Sequence, residues 1–133
     1  MSISFNQLPL ERFQNARTPT WFWTGKKPLE LNPTLVKSLE QFSDDNNTNC
    51  RICMHTSPHE TCHVMIIVER IGMNIPPHYH NNKSDFVFII DGTMEFFTFL
   101  QQVNPISCTR NLLKSMHGFK APKGQTHAIG ITS

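Results

Sequence analysis

The chain has 133 residues, of which 38% are hydrophobic, ten are Phe and only 17% are charged, against about 25% charged in an average soluble domain; this is enough apolar material for a buried core without disulfide or metal staples, and it argues against disorder. Twelve Lys and Arg against ten Asp and Glu give a net charge of +2, with no basic run longer than Lys26-Lys27, so the electrostatic footprint of a nucleic-acid binder is missing. Met1 to Phe13 lacks a basic segment followed by an apolar run, and no window is apolar enough to span a bilayer, so the expected setting is cytoplasmic, with no membrane partner.

Residues 1–31 contain Pro9, Pro19 and Pro28 and the cluster Trp21-Phe22-Trp23 without sustained periodicity. They read as an extended arm whose aromatics are buried against the body of the protein or a partner subunit. The body, residues 32–133, begins with a helix: Asn32 is a capping residue, Pro33 suits the first helical position, and Leu35, Val36, Leu39 and Phe42 recur at helical spacing to an end near Phe42. Ser43 to Asn49 is turn-prone and closes it. Six β-like runs follow, at Arg51–His55, His63–Arg70, Ser84–Asp91, Thr93–Leu100, Ser107–Leu113 and Thr126–Thr132, and with no second helix they indicate an all-β sandwich or barrel. Asp91-Gly92 between apolar runs predicts a tight hairpin. Cys50, Cys53, Cys62 and Cys108, in a sequence read as cytoplasmic, are expected to be reduced thiols, and Cys50-x-x-Cys53 is not expected to bind zinc, which needs a second such pair.

Two histidine patterns compete. His59-Glu60-Thr61-Cys62-His63 matches H-E-x-x-H, which binds zinc only where a helix brings both imidazoles onto one face. Here Pro58 precedes the pattern and the apolar run Val64 to Val68 follows at once, so a polar connection between strands is expected instead. The second pattern places His78 and His80 on one face of extended backbone. Asp85 follows after turn residues that let the next strand restart its register, and Pro122-Lys123-Gly124 makes a turn ahead of His127. Three imidazoles and a carboxylate suit one divalent transition metal: Fe, Mn, Ni, Co or Zn.

At these residues the chain resembles the cupin superfamily. Gly72, His78, His80, Asp85 and Gly92 fall at the spacings of the first cupin motif, with Asp85 where the family usually has Glu, and Pro122, Gly124 and His127 match the second. More narrowly, residues 32–132 look like the WbuC family of cupin-fold metalloproteins, through the leading helix, Arg51-Ile52-Cys53-Met54-His55, Ile75-Pro76-Pro77-His78-Tyr79-His80 and Lys83-Ser84-Asp85. The resemblance implies a cupin jelly-roll β-barrel with a metal held by His78, His80, Asp85 and His127. It also implies a place in surface-polysaccharide (O-antigen) biosynthesis, and hence a small polar ligand such as a sugar or nucleotide-sugar.

Arg51 and His55 are open to two readings, as substrate-binding residues lining the pocket near the metal or as strand residues paired with surface acids. The strand around Phe86 is apolar on both faces, Phe86, Phe88 and Ile90 on one and Val87 and Ile89 on the other; either both are covered, by the opposite sheet and by the arm with Trp21 and Trp23, or one forms a subunit interface, and a homodimer is the favoured reading. Two functions remain: a metal-dependent enzyme of isomerase or dioxygenase type, for which His55 is the one nameable candidate acid or base, and a non-catalytic sugar-binding module.

Overall fold

A computed structural model describes residues 7–100 and 107–132. In these residues the chain is mostly β, with one helix, and divides into two compact units, Met1–Arg70 and Ile71–Ser133. Among the described residues no helix is long and apolar enough to cross a membrane.

The first unit carries β1 (Leu10–Arg12), β2 (Thr20–Trp23), α1 (Pro33–Asn46), β3 (Cys50–Cys53) and β4 (Met65–Val68), with the strands in one sheet of order β1-β2-β3-β4. The helix starts as its sequence dictates. Asn32 is extended and its Oδ1 accepts from the Leu35 amide at 2.9 Å, with Pro33 at the first helical position; such a cap stabilises by about 1 kcal/mol. It runs one turn beyond the expected end at Phe42, to a left-handed Asn47. Arg70 explains the extra turn: its Nη1 donates to the Ser43 carbonyl, the Ser43 hydroxyl and the Asp44 carboxylate, each at 3.1 Å, supplying from outside the helix the cation that favours a C-terminus. Leu35 and Leu39 then pack on Trp21, Cys50, Ile52 and Ile66.

Residues 1–31, expected as an arm, thus contribute two strands to this sheet. β2 pairs in parallel with β3, setting Trp21 opposite Ile52, and the Trp21 indole is buried edge-on to Phe42 at 4.8 Å.

The second unit contains β5 (Asn74–His78), β6 (Asp85–Phe88), β7 (Met94–Leu100), β8 (Ser107–Leu113), β9 (Gly118–Ala121) and β10 (Thr126–Ile131). β5-β10-β7-β8 form one antiparallel sheet and β6-β9 a two-stranded ribbon. Ile89, Phe96, Leu113 and Ala121 make its core, flanked by Val87, Met94, Phe119 and Ile129.

The hairpin expected at Asp91-Gly92 does not form. Gly92 does take a positive φ of 98°, but the chain bends there between sheets: β6 goes to β9, while β7 pairs with β8 and β10. Ile89 is tied to the segment before β9, its amide donating to His117 O at 2.9 Å and its carbonyl accepting from Met116 N at 2.7 Å. The alternation of faces on β6 is as the sequence indicates, with Ile89 buried, but the outer side is uncovered: Phe86 is 69% exposed, and Phe88 and Ile90 are also exposed.

Candidate metal centre

Four side chains converge in the second unit. One ligand atom from each of His78, His80, Asp85 and His127 lies within 4.8 Å of all the others, so this group could hold a metal ion.

The backbone explains the convergence. His78 and His127 are directly opposed partners on β5 and β10, so their side chains rise from the same face, with ring centroids 4.3 Å apart. Register shifts between this pair and Ile75↔Ile129, putting an irregularity at Pro76-Pro77; bulges of this kind re-aim side chains beside functional sites. Prolines are tolerated there because β5 is at the sheet edge, where an N–H is dispensable. Asp85 opens β6 opposite Ala121, so the turn after His80 restarts the register as the sequence requires.

The Pro122–Gln125 turn completes the frame. Gln125 N donates to Pro122 O at 3.1 Å, and Gly124 has φ 82°, the positive value that a type II turn demands at its third position. The Gly124 amide donates to His80 O at 2.8 Å, fastening the turn that precedes His127 to the backbone of another member of the cluster.

The donor set fits a divalent cation. His78 Nδ1 donates to Pro76 O and His127 Nδ1 to Gln125 O, each at 2.9 Å; a carbonyl can only accept, so Nδ1 carries the proton in both and Nε2 offers a lone pair. This is the outer-shell arrangement that fixes tautomer and ring orientation in metal-binding histidines. Asp85 Oδ2 lies 2.9 Å from His80 Nε2 and 3.4 Å from His127 Nε2. Towards His127 the carboxylate faces Nε2, and a divalent cation held between them would be attracted by the carboxylate and by the lone pair of a neutral ring. Asp85, although a methylene shorter than Glu, does reach the cluster.

The site is buried on one side only. The His127 side chain is 3% exposed, whereas those of His80 and Asp85 are 31% and 30% exposed. Beneath His127 the fully buried Phe96 ring stacks at 5.4 Å and 10°, an apolar floor that the sequence reading did not single out. The proton-fixing carbonyls were also missed; each belongs to the residue two before its histidine, and a backbone group leaves no mark in residue type.

Arg51 and His55 lie in the first unit and outside the four-residue cluster. Arg51 Nε donates to Thr20 Oγ1 at 2.9 Å. His55 is buried, stacked on His63 at 4.2 Å and 6°, with Nδ1 3.2 Å from both the amide nitrogen and the carbonyl oxygen of Val64. Burial pushes the neighbouring Cys50 thiol up to about 11, with Glu69 adding to the effect, and all four cysteines are free. The H-E-x-x-H pattern forms turns and bends with no helix. Glu60 instead accepts from the Thr56 amide and hydroxyl, interactions that hold its carboxyl below the ordinary value, the backbone bond foremost.

A family model described as Domain of unknown function (DUF6016) matches residues 35–110, a span that includes His78, His80 and Asp85 and ends before His127. No curated protein matches the chain.

Proposed function

We propose that this chain, which belongs to the family described as Domain of unknown function (DUF6016), is a cupin-type protein using one divalent transition metal to act on a small polar molecule. The observation that carries the reading is the convergence of His78, His80, Asp85 and His127 with both Nδ1–H groups of His78 and His127 committed to carbonyls. Fe, Mn, Ni, Co and Zn all suit this donor set. When bound, such an ion supplies Lewis acidity towards a carbonyl or hydroxyl oxygen, or a redox centre if it is iron.

The chain's own residues hold and orient. His78 and His127 present fixed lone pairs, Asp85 brings the compensating negative charge, and Phe96 keeps the floor apolar so that attraction within the site is little weakened by solvent. The exposure of His80 and Asp85 gives a ligand its approach. The spacing of both cupin motifs supports a jelly-roll barrel, and the resemblance to the WbuC family supports a sugar or nucleotide-sugar of surface-polysaccharide biosynthesis as the substrate class. The exposed side of β6, Phe86 with Phe88 and Ile90, supports a homodimer formed on that face.

The test is to incubate metal-loaded protein with a panel of sugars and nucleotide-sugars and follow them by NMR. Turnover that disappears in His127→Ala is the expected result. Ligand binding with the metal in place and no turnover across the panel would replace the enzyme by a binding module.

A further inference from the structure

The exposure of the metal cluster is lopsided, and its open side is the one on which two short connections meet. His127 is sealed while His80 and Asp85 are partly exposed, so solvent enters where the 81–84 connection joins these two residues. The Pro122–Gln125 turn is held to the same place by the hydrogen bond from Gly124 N to His80 O. Each connection carries one exposed lysine, Lys83 in the first and Lys123 in the second. Neither lysine has an ion pair or hydrogen bond among the described residues.

Negative charge does not balance them. From Ile71 onward the sequence has three acidic residues, Asp85, Asp91 and Glu95. Asp85 is in the cluster, Glu95 is paired with Arg110, and Asp91 lies on the bend beyond the far end of β6. With a divalent ion bound, the opening is net positive even after Asp85 is counted, and a cleft lined by one sign of charge concentrates ligands of the other.

We infer that Lys83 and Lys123 flank an oxyanion subsite at the open side of the metal centre, so that the ligand taken there carries a carboxylate or phosphate. This rests on the metal reading of the cluster and narrows its substrate class from small polar molecules to anionic ones. Long, flexible stems let both ammonium groups close on an oxyanion as it arrives, and the compact charge of lysine suits contact with carboxylate or phosphate oxygens. Lys120 is the internal control. It pairs with Phe86, one step along the ribbon from the Asp85↔Ala121 pair, and alternation turns it to the opposite face.

The experiment loads the full chain with Co(II), removes unbound metal and titrates three probes by calorimetry and by the visible spectrum of the ion: inorganic phosphate, glucuronate and glucose. Glucuronate and glucose differ by one carboxylate, and phosphate against glucuronate separates the two sources of negative charge. The expected result is binding of phosphate or glucuronate but not of glucose, weakened by added salt. Affinity should fall about tenfold in the Lys83→Gln/Lys123→Gln double variant, the scale of two rim contacts, with Co(II) content unchanged, and stay within about twofold in Lys120→Gln, which removes the same kind of charge elsewhere. Full Co(II) uptake with anions that do not bind, or that bind the double variant as well as the wild type, overturns the anionic subsite and leaves the metal reading standing. Failure of the wild type to take up Co(II) overturns both.

Discussion

The two units use the polar side chains around their cores in different ways. In Met1–Arg70 three polar side chains hold the fold: Asn32 caps α1, Arg70 closes it, and Arg51 is bonded to Thr20. The core beneath them is apolar, with Leu39 and Ile52 fully buried. In Ile71–Ser133 a second apolar centre, Phe96 with Ile89, Leu113 and Ala121, lies in the same unit as three imidazoles and a carboxylate gathered within reach of a single ion. Such a gathering adds little to a fold by itself, so the second arrangement is the one that could hold a metal ion.

That contrast can be broken most forcefully in the cores. Leu39→Ala should cost about 2–5 kcal/mol and Phe96→Ala about 3–5 kcal/mol in denaturant unfolding. Metal should then separate the units. Free divalent metal at about 100 times its dissociation constant should stabilise the wild type by about 2.7 kcal/mol, do the same for Leu39→Ala, and leave Asp85→Asn unmoved. A thermal or denaturant midpoint that rises equally in Asp85→Asn would remove Asp85 from the site.

Smaller changes sharpen the comparison. Gly124→Ala meets no atom within 4 Å of the new Cβ, so its whole effect is the left-handed backbone, about 1–2 kcal/mol. Because that turn is bonded to His80, metal affinity measured by competition with a chelator should weaken as well. Asn32→Ala should lose about 1 kcal/mol of stability with metal affinity untouched.

A change of another kind is expected in alkali. The Cys50 thiol is raised from 9.0 to about 11 by burial first and Glu69 second, so between these values the unfolded chain loses a proton that the folded chain keeps. The stability contributed by the neutral buried thiol is present below pH 9 and declines as pH rises towards about 11. Denaturant midpoints at pH 8 and pH 10.5 should show the decline, and Cys50→Ala should flatten it.

What could be read in advance follows from how local each signal is. The start of α1 was legible because cap, proline and periodicity are neighbours in sequence. The cluster was legible because spacing alone puts His78 and His80 on one face and a Pro-x-Gly turn ahead of His127. Partners were not. Asp91-Gly92 marks a real bend, but nothing in the dipeptide says that the strand before it pairs with Gly118–Ala121 instead of the strand after it. β2 has the sequence of an arm because its four residues become a strand only through a parallel neighbour 31 positions away, Thr20 against Arg51. β5 was missed because Pro76 and Pro77 argue against a strand unless it is known to lie at an edge. That Asp85, shorter than the family's usual Glu, arrives at the cluster depends on the register of β6 against β9, which no local signal fixes.

The most direct measurement is elemental analysis of untagged protein purified without added metal, followed by Co(II) titration, on the wild type and on His127→Ala, with circular dichroism confirming the fold of each. About one equivalent of a divalent transition metal bound by the wild type, and lost in the variant, is the result that the convergence of His78, His80, Asp85 and His127 predicts. A folded wild type that holds no metal and takes up none would contradict it.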